Sequence, residues 1–136
     1  MTDIFTVEQI DDNERISRFI TNKKYFNKNT NYISASAFSP SKKTNNCSAY
    51  RTKGLDEPEI WDIALKFVTE KRDDKAEVLA RADIQANVYK GLGLSLNPDG
   101  IPHPRHVNIL GWASEESRYL MIRTELSNKA ILVVKP

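Results

Sequence analysis

The chain has 136 residues, of which 40% are hydrophobic and 28% are charged. These proportions are typical of a globular protein and exclude a disordered chain, and the length suits one domain with a core of its own. The single cysteine, Cys47, excludes an internal disulfide. Because the sequence has neither a signal-peptide pattern nor an apolar run long enough to cross a bilayer, we expect a single domain over residues 1–136 in the cytoplasm, away from membranes.

Charge is distributed unevenly along the chain. Residues 1–14 carry five acids and no base, whereas residues 15–53 carry nine bases and no acid. The total formal charge is only +2, so this basic block of residues 15–53 is the strongest compositional signal in the sequence.

The first half of the chain predicts one helix and two strands. A capping-box pattern that starts at Thr6 precedes apolar residues at helical spacing, which predicts a helix over about 7–21. Residues 23–31 are rich in Asn and Lys and are typical of a loop. Alternation over 32–38 predicts a strand that forms a hairpin with a second strand over 47–52, through a polar, basic turn.

The second half predicts helices and strands that alternate without the regular lengths of βαβ units. In chain order, the patterns indicate a capped helix over 56–71, a strand over 78–84 followed by one helical turn, a short strand over 92–96, a strand over 107–112, a helix over 115–129 capped by Ser114, and a strand over 131–134. The fold class that follows is α+β, with a small mixed or antiparallel sheet of about five to six strands packed against two or three helices.

The basic block combines cations with interleaved aromatic residues, which suits phosphate groups and unstacked bases. The main hypothesis is therefore a small accessory or regulatory protein, without enzymatic activity, that binds nucleic acid or another phosphate-bearing ligand. An acidic protein partner is the first alternative, because it would use the same charges. The candidate ligand-binding residues are Arg15, Arg18, Lys23, Lys24, Lys42, Lys43, Tyr50, Arg51 and Arg105.

Both histidines of the chain lie in the segment His103-Pro104-Arg105-His106, before a predicted strand. A neutral imidazole can act as a general base and an arginine can hold a phosphate, so the second alternative is a small phosphodiester- or nucleotide-processing enzyme. In that enzyme His106 and His103 would be catalytic, with Arg105 and Arg51 holding the anion. The competing interpretation is that the histidines are structural residues of a stiff connector.

The remaining reactive residues predict no metal site and no cofactor. The two histidines and one cysteine lack the repeated spacing of a zinc site, and a lone Gly-x-Gly at 91–93 lacks the rest of a dinucleotide motif. Bases near Cys47 would lower its thiol pKa, so a Cys47–His106 pair is conceivable, although a packed cysteine is the simpler interpretation. Arg81 and Asp83 share one face of a predicted strand and suit a structural ion pair.

Overall fold

A six-stranded antiparallel sheet is the centre of the computed structural model, which describes residues 9–41 and 47–136. Within these residues the strands are Arg15–Ile20 (β1), Phe26–Asn27 (β2), Tyr32–Ile33 (β3), Cys47–Arg51 (β4), Ala80–Gln85 (β5), Ser95–Asn97 (β6), His106–Leu110 (β7) and Ile131–Val134 (β8). The large sheet has the order β6-β7-β4-β1-β5-β8, and β2 and β3 form a separate two-stranded hairpin. Every neighbouring pair in the large sheet is antiparallel.

Three α-helices accompany the sheet in the described residues: Glu57–Ala64 (α1), Ala86–Gly91 (α2) and Glu116–Lys129 (α3). Helix α1 continues through one π-helical turn, Leu65–Thr69, and two 3₁₀ turns cover Lys23–Tyr25 and Ala35–Phe38. The predicted α+β class is confirmed, and the sheet is antiparallel with six strands. None of the helices in residues 9–41 and 47–136 has the length and apolar composition that a bilayer span requires.

Alternating side chains along the strands divide the hydrophobic core between the two faces of the sheet. One face contacts α2, α3 and the turn at Ala35–Phe38; its cluster includes Ile16, Ile20, Tyr89 and Leu126. The other face contacts α1, and its cluster includes Phe19, Tyr50, Ile60, Ile63 and Val78. We call the first the α3 face and the second the α1 face, because the functional side chains described below separate between them.

The helix predicted over about 7–21 is wrong, because residues 15–20 form β1 in the middle of the sheet. Ile16, Phe19 and Ile20 have the spacing of one helical stripe. In the strand, however, Ile16 and Ile20 face α3 and Phe19 faces α1. A central strand that is buried on both faces loses the simple alternation that identifies a strand in a sequence.

The predicted hairpin between 32–38 and 47–52 is also wrong. Only Tyr32–Ile33 is a strand, and it pairs with Phe26–Asn27. The Ser34 hydroxyl accepts a hydrogen bond from the Ser36 N–H and caps the 3₁₀ turn that follows, so local capping ends the strand. Strand β4 instead lies between β1 and β7, and most of the predicted intervening turn falls outside the described residues.

The elements after residue 55 were predicted well. Asp56 and Glu59 form the reciprocal capping box of α1, and β5 runs directly into α2 as expected. The cap of α3 is shifted by one residue, because the Glu115 carboxylate accepts from the N–H groups of Ser117 and Arg118. The strand predicted over 92–96 starts three residues later and ends one residue later, at Ser95–Asn97, since the chain before it is a turn.

Candidate functional site

Several cations among the candidate ligand-binding residues hold the fold together. Arg51 donates through Nη2 to the Glu14 carboxylate at 3.0 Å, and both side chains are largely buried on the α3 face. Arg15 donates to the hydroxyl and carbonyl of Thr52, at 2.9 and 2.7 Å. Arg105 donates to the backbone carbonyls of Arg51 and Lys53. These candidate ligand-binding residues are therefore not gathered on one surface.

Arg18 has a different environment. Its Nε donates to the Ala37 carbonyl at 3.1 Å and its Nη1 donates to the Ser48 carbonyl at 2.8 Å. Within residues 9–41 and 47–136 no carboxylate pairs with it, and its Nη2 makes no hydrogen bond. Two carbonyls thus fix the guanidinium while leaving its charge unneutralised by the described residues.

Arg18 lies where two surface cavities meet. The polar cavity, about 570 Å³, is lined by Arg18, Lys23, Arg72 and the hydroxyl side chains of Ser36 and Ser39, among others. The aromatic cavity, about 340 Å³, shares Arg18 and Arg72. Its other lining residues are Phe19, Ser48, Tyr50, Phe67, Val68, Lys71, Pro102 and His106. We call the two cavities together the Arg18 cleft.

The charged residues that line the Arg18 cleft are four cations, Arg18, Lys23, Lys71 and Arg72, and one carboxylate, Asp74. Arg72 holds Asp74 through two hydrogen bonds of 2.9 and 3.0 Å. The Arg72 guanidinium and the Ala76 N–H lower the pKa of Asp74 to about 2. Asp74 is therefore ionised at neutral pH, and four cations against one anion leave the described lining with a charge of +3.

His106 contributes an oriented imidazole to the aromatic cavity. Its Nδ1 lies 2.7 Å from Oδ1 of Asp99, and the other Asp99 oxygen accepts from the Asn108 amide at 2.6 Å. A carboxylate only accepts hydrogen bonds, so this network assigns the proton of a neutral imidazole to Nδ1. In the described part of the chain Nε2 makes no hydrogen bond, so a neutral His106 ring offers it to the cavity as an acceptor.

His103 occupies a different environment from His106. Its Nδ1 accepts from the Arg105 N–H at 3.0 Å, and its ring packs edge-on to Phe67 with 4.8 Å between centroids. Burial, followed by the nearby Arg105 charge, lowers the pKa of His103. No carboxylate in the described ranges orients this imidazole, so the two histidines do not form a matched pair.

Tyr50 connects the two histidines on the α1 face. Its ring centroid lies 5.2 Å from that of His106 and 6.3 Å from that of His103. Burial, and to a smaller extent the Asp99 charge, raises the pKa of Tyr50 to about 12. The side chain is thus a neutral phenol, able to donate a hydrogen bond, throughout the physiological range.

The remaining predicted site residues lie away from the Arg18 cleft. Lys24 is exposed in the turn at Lys23–Tyr25, and its backbone N–H donates to Asn22. Lys42 and Lys43 fall outside the described residues. Arg15 faces α1, in a buried chain of hydrogen bonds that also contains the ion pair predicted between Arg81 and Asp83.

The conceivable Cys47–His106 pair is absent, because the two residues belong to opposite faces of the sheet. Cys47 is opposite Ile109 in the β4–β7 register and faces α3, whereas His106 is opposite Tyr50 and faces α1. Burial raises the pKa of the Cys47 thiol more than Arg18 lowers it. The cysteine is therefore a small packed residue.

Sequence reasoning missed Asp99, Lys71, Arg72 and Phe67 as members of the site. Asp99 could have been found from the hairpin of β6 and β7, because Asn97 is opposite Asn108 and the turn brings Asp99 back over β7. Lys71 and Arg72 are distant from Arg18 in the chain, and only the path of the chain after α1 brings them close. No signal in the local sequence indicates this contact.

No group of three or more His, Cys, Asp or Glu side chains in residues 9–41 and 47–136 is arranged to hold a metal ion. The cleft therefore offers cations, hydrogen-bond donors, aromatic walls and one oriented imidazole. This set suits an anionic ligand that also carries a flat or apolar part. Comparison with known protein families, with curated proteins and with solved structures finds no match to this chain.

Proposed function

We propose that this protein binds a phosphate-bearing ligand in the Arg18 cleft. The observation that carries the proposal is the state of Arg18, which two backbone carbonyls hold in place while no described carboxylate pairs with it. An arginine fixed in this way is preorganised for a phosphate, since its charge is available and little side-chain entropy remains to be lost on binding.

The surrounding charges support an anion. Lys23, Lys71 and Arg72 line the same cleft as Arg18, and Asp74 is the single carboxylate of the described lining. A cation and an anion about 4 Å apart near a protein surface attract each other by roughly 4 kcal/mol before desolvation is counted. Several such cations in one concave site favour a phosphate over a neutral ligand.

The aromatic walls favour a nucleotide or a short single-stranded nucleic acid over inorganic phosphate alone. Phe19, Tyr50 and Phe67 line the cavity next to Arg18. Cations that hold the backbone beside aromatic faces that receive unstacked bases are the usual arrangement for single strands. The proposed role is that of an accessory or regulatory binding protein, centred on Arg18 and Lys23 of the basic block rather than on Arg51 or Arg105.

A second candidate function, phosphodiester hydrolysis, is favoured by the hydrogen bond between His106 and Asp99. In this reaction a water proton moves to Nε2 of His106 and the water oxygen forms a bond to phosphorus. The bond to the leaving alcohol then breaks, and the leaving oxygen takes a proton from Lys71. The test is release of nitrophenolate from bis(p-nitrophenyl) phosphate, which the His106→Gln variant should abolish.

The main proposal is tested by titrating the protein with tripolyphosphate and with a fluorescent single-stranded oligonucleotide. Arg18→Gln should weaken both affinities about tenfold. It should also make the plot of log affinity against log salt less steep, by about the amount that one phosphate contact contributes. Lys129→Gln is the matched control, because it removes one exposed cation from the end of α3. It should change neither quantity beyond a small general effect of net charge.

Two results would overturn the proposal. In the first, Arg18→Gln and Lys129→Gln have the same affinity for tripolyphosphate. In the second, polyglutamate binds the wild-type protein more tightly than the oligonucleotide does, which would instead favour an acidic protein partner.

A further inference from the structure

We infer that the aromatic cavity receives the base of a nucleotide and prefers a base that carries an exocyclic amino group, an inference that rests on the proposed phosphate site at Arg18. It assigns the two parts of the ligand to the two parts of the cleft. The phosphate contacts Arg18, where the cavities meet, and the base enters the side that has aromatic walls.

The shape and lining of the aromatic cavity suit a flat ring such as a base. The rings of Phe19 and Tyr50 have centroids 5.5 Å apart, and the Tyr50 and His106 rings meet edge-on at 5.2 Å. Phe67 and Val68 close the side towards α1. A volume of about 340 Å³ lies at the lower end of the range for small-ligand pockets. Flat aromatic rings stack well in such a site.

The position of Arg18 determines which way round the nucleotide lies. The polar cavity beside it is lined by hydroxyls and by Lys23, which suit further phosphates or a sugar. A phosphate held at Arg18 therefore directs the apolar ring of its nucleotide to the aromatic cavity and the charged remainder to the polar cavity. The reverse orientation would place phosphates against Phe67 and Val68.

The tautomer of His106 accounts for the preference for an amino group. Asp99 holds the proton of the neutral ring on Nδ1, which leaves Nε2 as a hydrogen-bond acceptor inside the cavity. A base that fills the cavity removes water from Nε2, and an acceptor left without a donor there weakens binding. An exocyclic amino group, as in adenine or cytosine, supplies that donor, and a base without one does not.

The inference is tested by calorimetric titration of the protein, at about pH 8, with matched pairs of nucleoside triphosphates. One pair is ATP and the purine ribonucleoside triphosphate that lacks the amino group. The other is CTP and the corresponding amino-free pyrimidinone nucleotide. We expect the aminated member to bind about tenfold more tightly in at least one pair, which is the effect of one buried hydrogen bond.

Two variants test whether His106 makes the distinction. His106→Phe keeps an aromatic ring but removes Nε2, so both members of each pair should bind equally. Asp99→Asn acts through the tautomer: because the Asn108 amide donates to one oxygen, the new amide nitrogen should face Nδ1 of His106 and shift the ring proton to Nε2. The preference for the aminated base should then be lost. Glu116→Gln, which neutralises an exposed carboxylate of α3, is the control.

Tripolyphosphate separates this inference from the proposed function. If neither pair differs in the wild-type protein while tripolyphosphate still binds in an Arg18-dependent way, the base preference is overturned and the phosphate site stands. If tripolyphosphate does not bind, both are overturned. If a base preference persists unchanged in folded Asp99→Asn and His106→Phe proteins, as judged by circular dichroism, the role of His106 is overturned.

Discussion

The Ser17 hydroxyl lies 2.6 Å from Oδ1 of Asp83, and the two residues are direct cross-strand partners in β1 and β5 on the α1 face. A carboxylate can only accept hydrogen bonds, so the Ser17 hydroxyl donates its single proton to the hydrogen bond with Asp83. The Thr52 hydroxyl, also 2.6 Å from Ser17, must then donate to Ser17, and Arg15 donates to Thr52. The result is a buried chain of donors that all point towards Asp83.

Ser17→Ala should lower the free energy of unfolding by about 1–3 kcal/mol, because it leaves the buried Thr52 hydroxyl without its acceptor and Asp83 without one donor. Ser95→Ala, at an exposed position of β6, should change it by less than about 0.5 kcal/mol. Urea denaturation measures both. Equal effects for the two variants would show that the chain of donors adds nothing to stability.

The two carboxylates that hold Arg81 should differ in importance. Arg81 donates to Asp83 at 3.0 Å and to Glu57 at 2.8 Å, but the Asp83 side chain is 9% exposed and the Glu57 side chain 55%. Asp83→Asn should destabilise the protein by about 3–5 kcal/mol, since it leaves a buried guanidinium without its buried partner. Glu57→Gln should cost about 1 kcal/mol or less. Thermal and urea unfolding of the two variants test this order, which a larger Glu57→Gln effect would contradict.

Gly111 has a backbone conformation that other residues avoid. Its φ is +91°, and a Cβ atom there would lie 3.2 Å from the Gly93 carbonyl oxygen. Gly111→Ala should therefore destabilise the protein by at least about 1–2 kcal/mol. Gly91→Ala is the control, because nothing lies within 4 Å of that position and alanine is the better helix former. The melting temperature should fall for Gly111→Ala and stay level or rise for Gly91→Ala. An equal change in both variants would show that the backbone conformation of Gly111 does not require glycine.

The raised pKa of Tyr50 predicts that the protein loses stability in alkali. Burial and the Asp99 charge raise its pKa from 10.0 in the unfolded chain to about 12 in the folded protein. The phenol therefore favours the folded state up to about pH 10, and this contribution is lost as the pH rises to about 12. The difference in unfolding free energy between wild type and Tyr50→Phe should be constant below pH 10 and change across that window. A constant difference throughout would show that Tyr50 titrates alike in both states.

The fold was predictable where local chemistry agrees with the final structure. The capping box at Asp56 and Glu59 identified the start of α1, and the apolar run at 131–134 identified β8. It was not predictable in β1, where burial on both faces gave Ile16, Phe19 and Ile20 a helical spacing. The pairing of β4 with β1 and β7 depends on the whole sheet and leaves no local pattern.

The candidate site was predictable only in part. Arg18, Lys23, Tyr50 and His106 were named from the sequence, and all four line the Arg18 cleft. Arg51 was named for the same reason, but its charge is paired with Glu14, a contact that charge counting cannot detect because Glu14 precedes the basic block. Proximity in sequence does not place cations on one surface, since neighbouring positions of a strand face opposite sides.

The proposed phosphate site at Arg18 is tested most directly by locating the bound phosphate with nuclear magnetic resonance. Tripolyphosphate would be added to isotopically labelled protein while the backbone amide signals are followed. We predict that the largest saturable shifts belong to Arg18, Ser48 and Arg72, which line the cleft from three separate segments of the chain. Shifts centred instead on Arg51 and Glu14, or no saturable shifts at all, would contradict it.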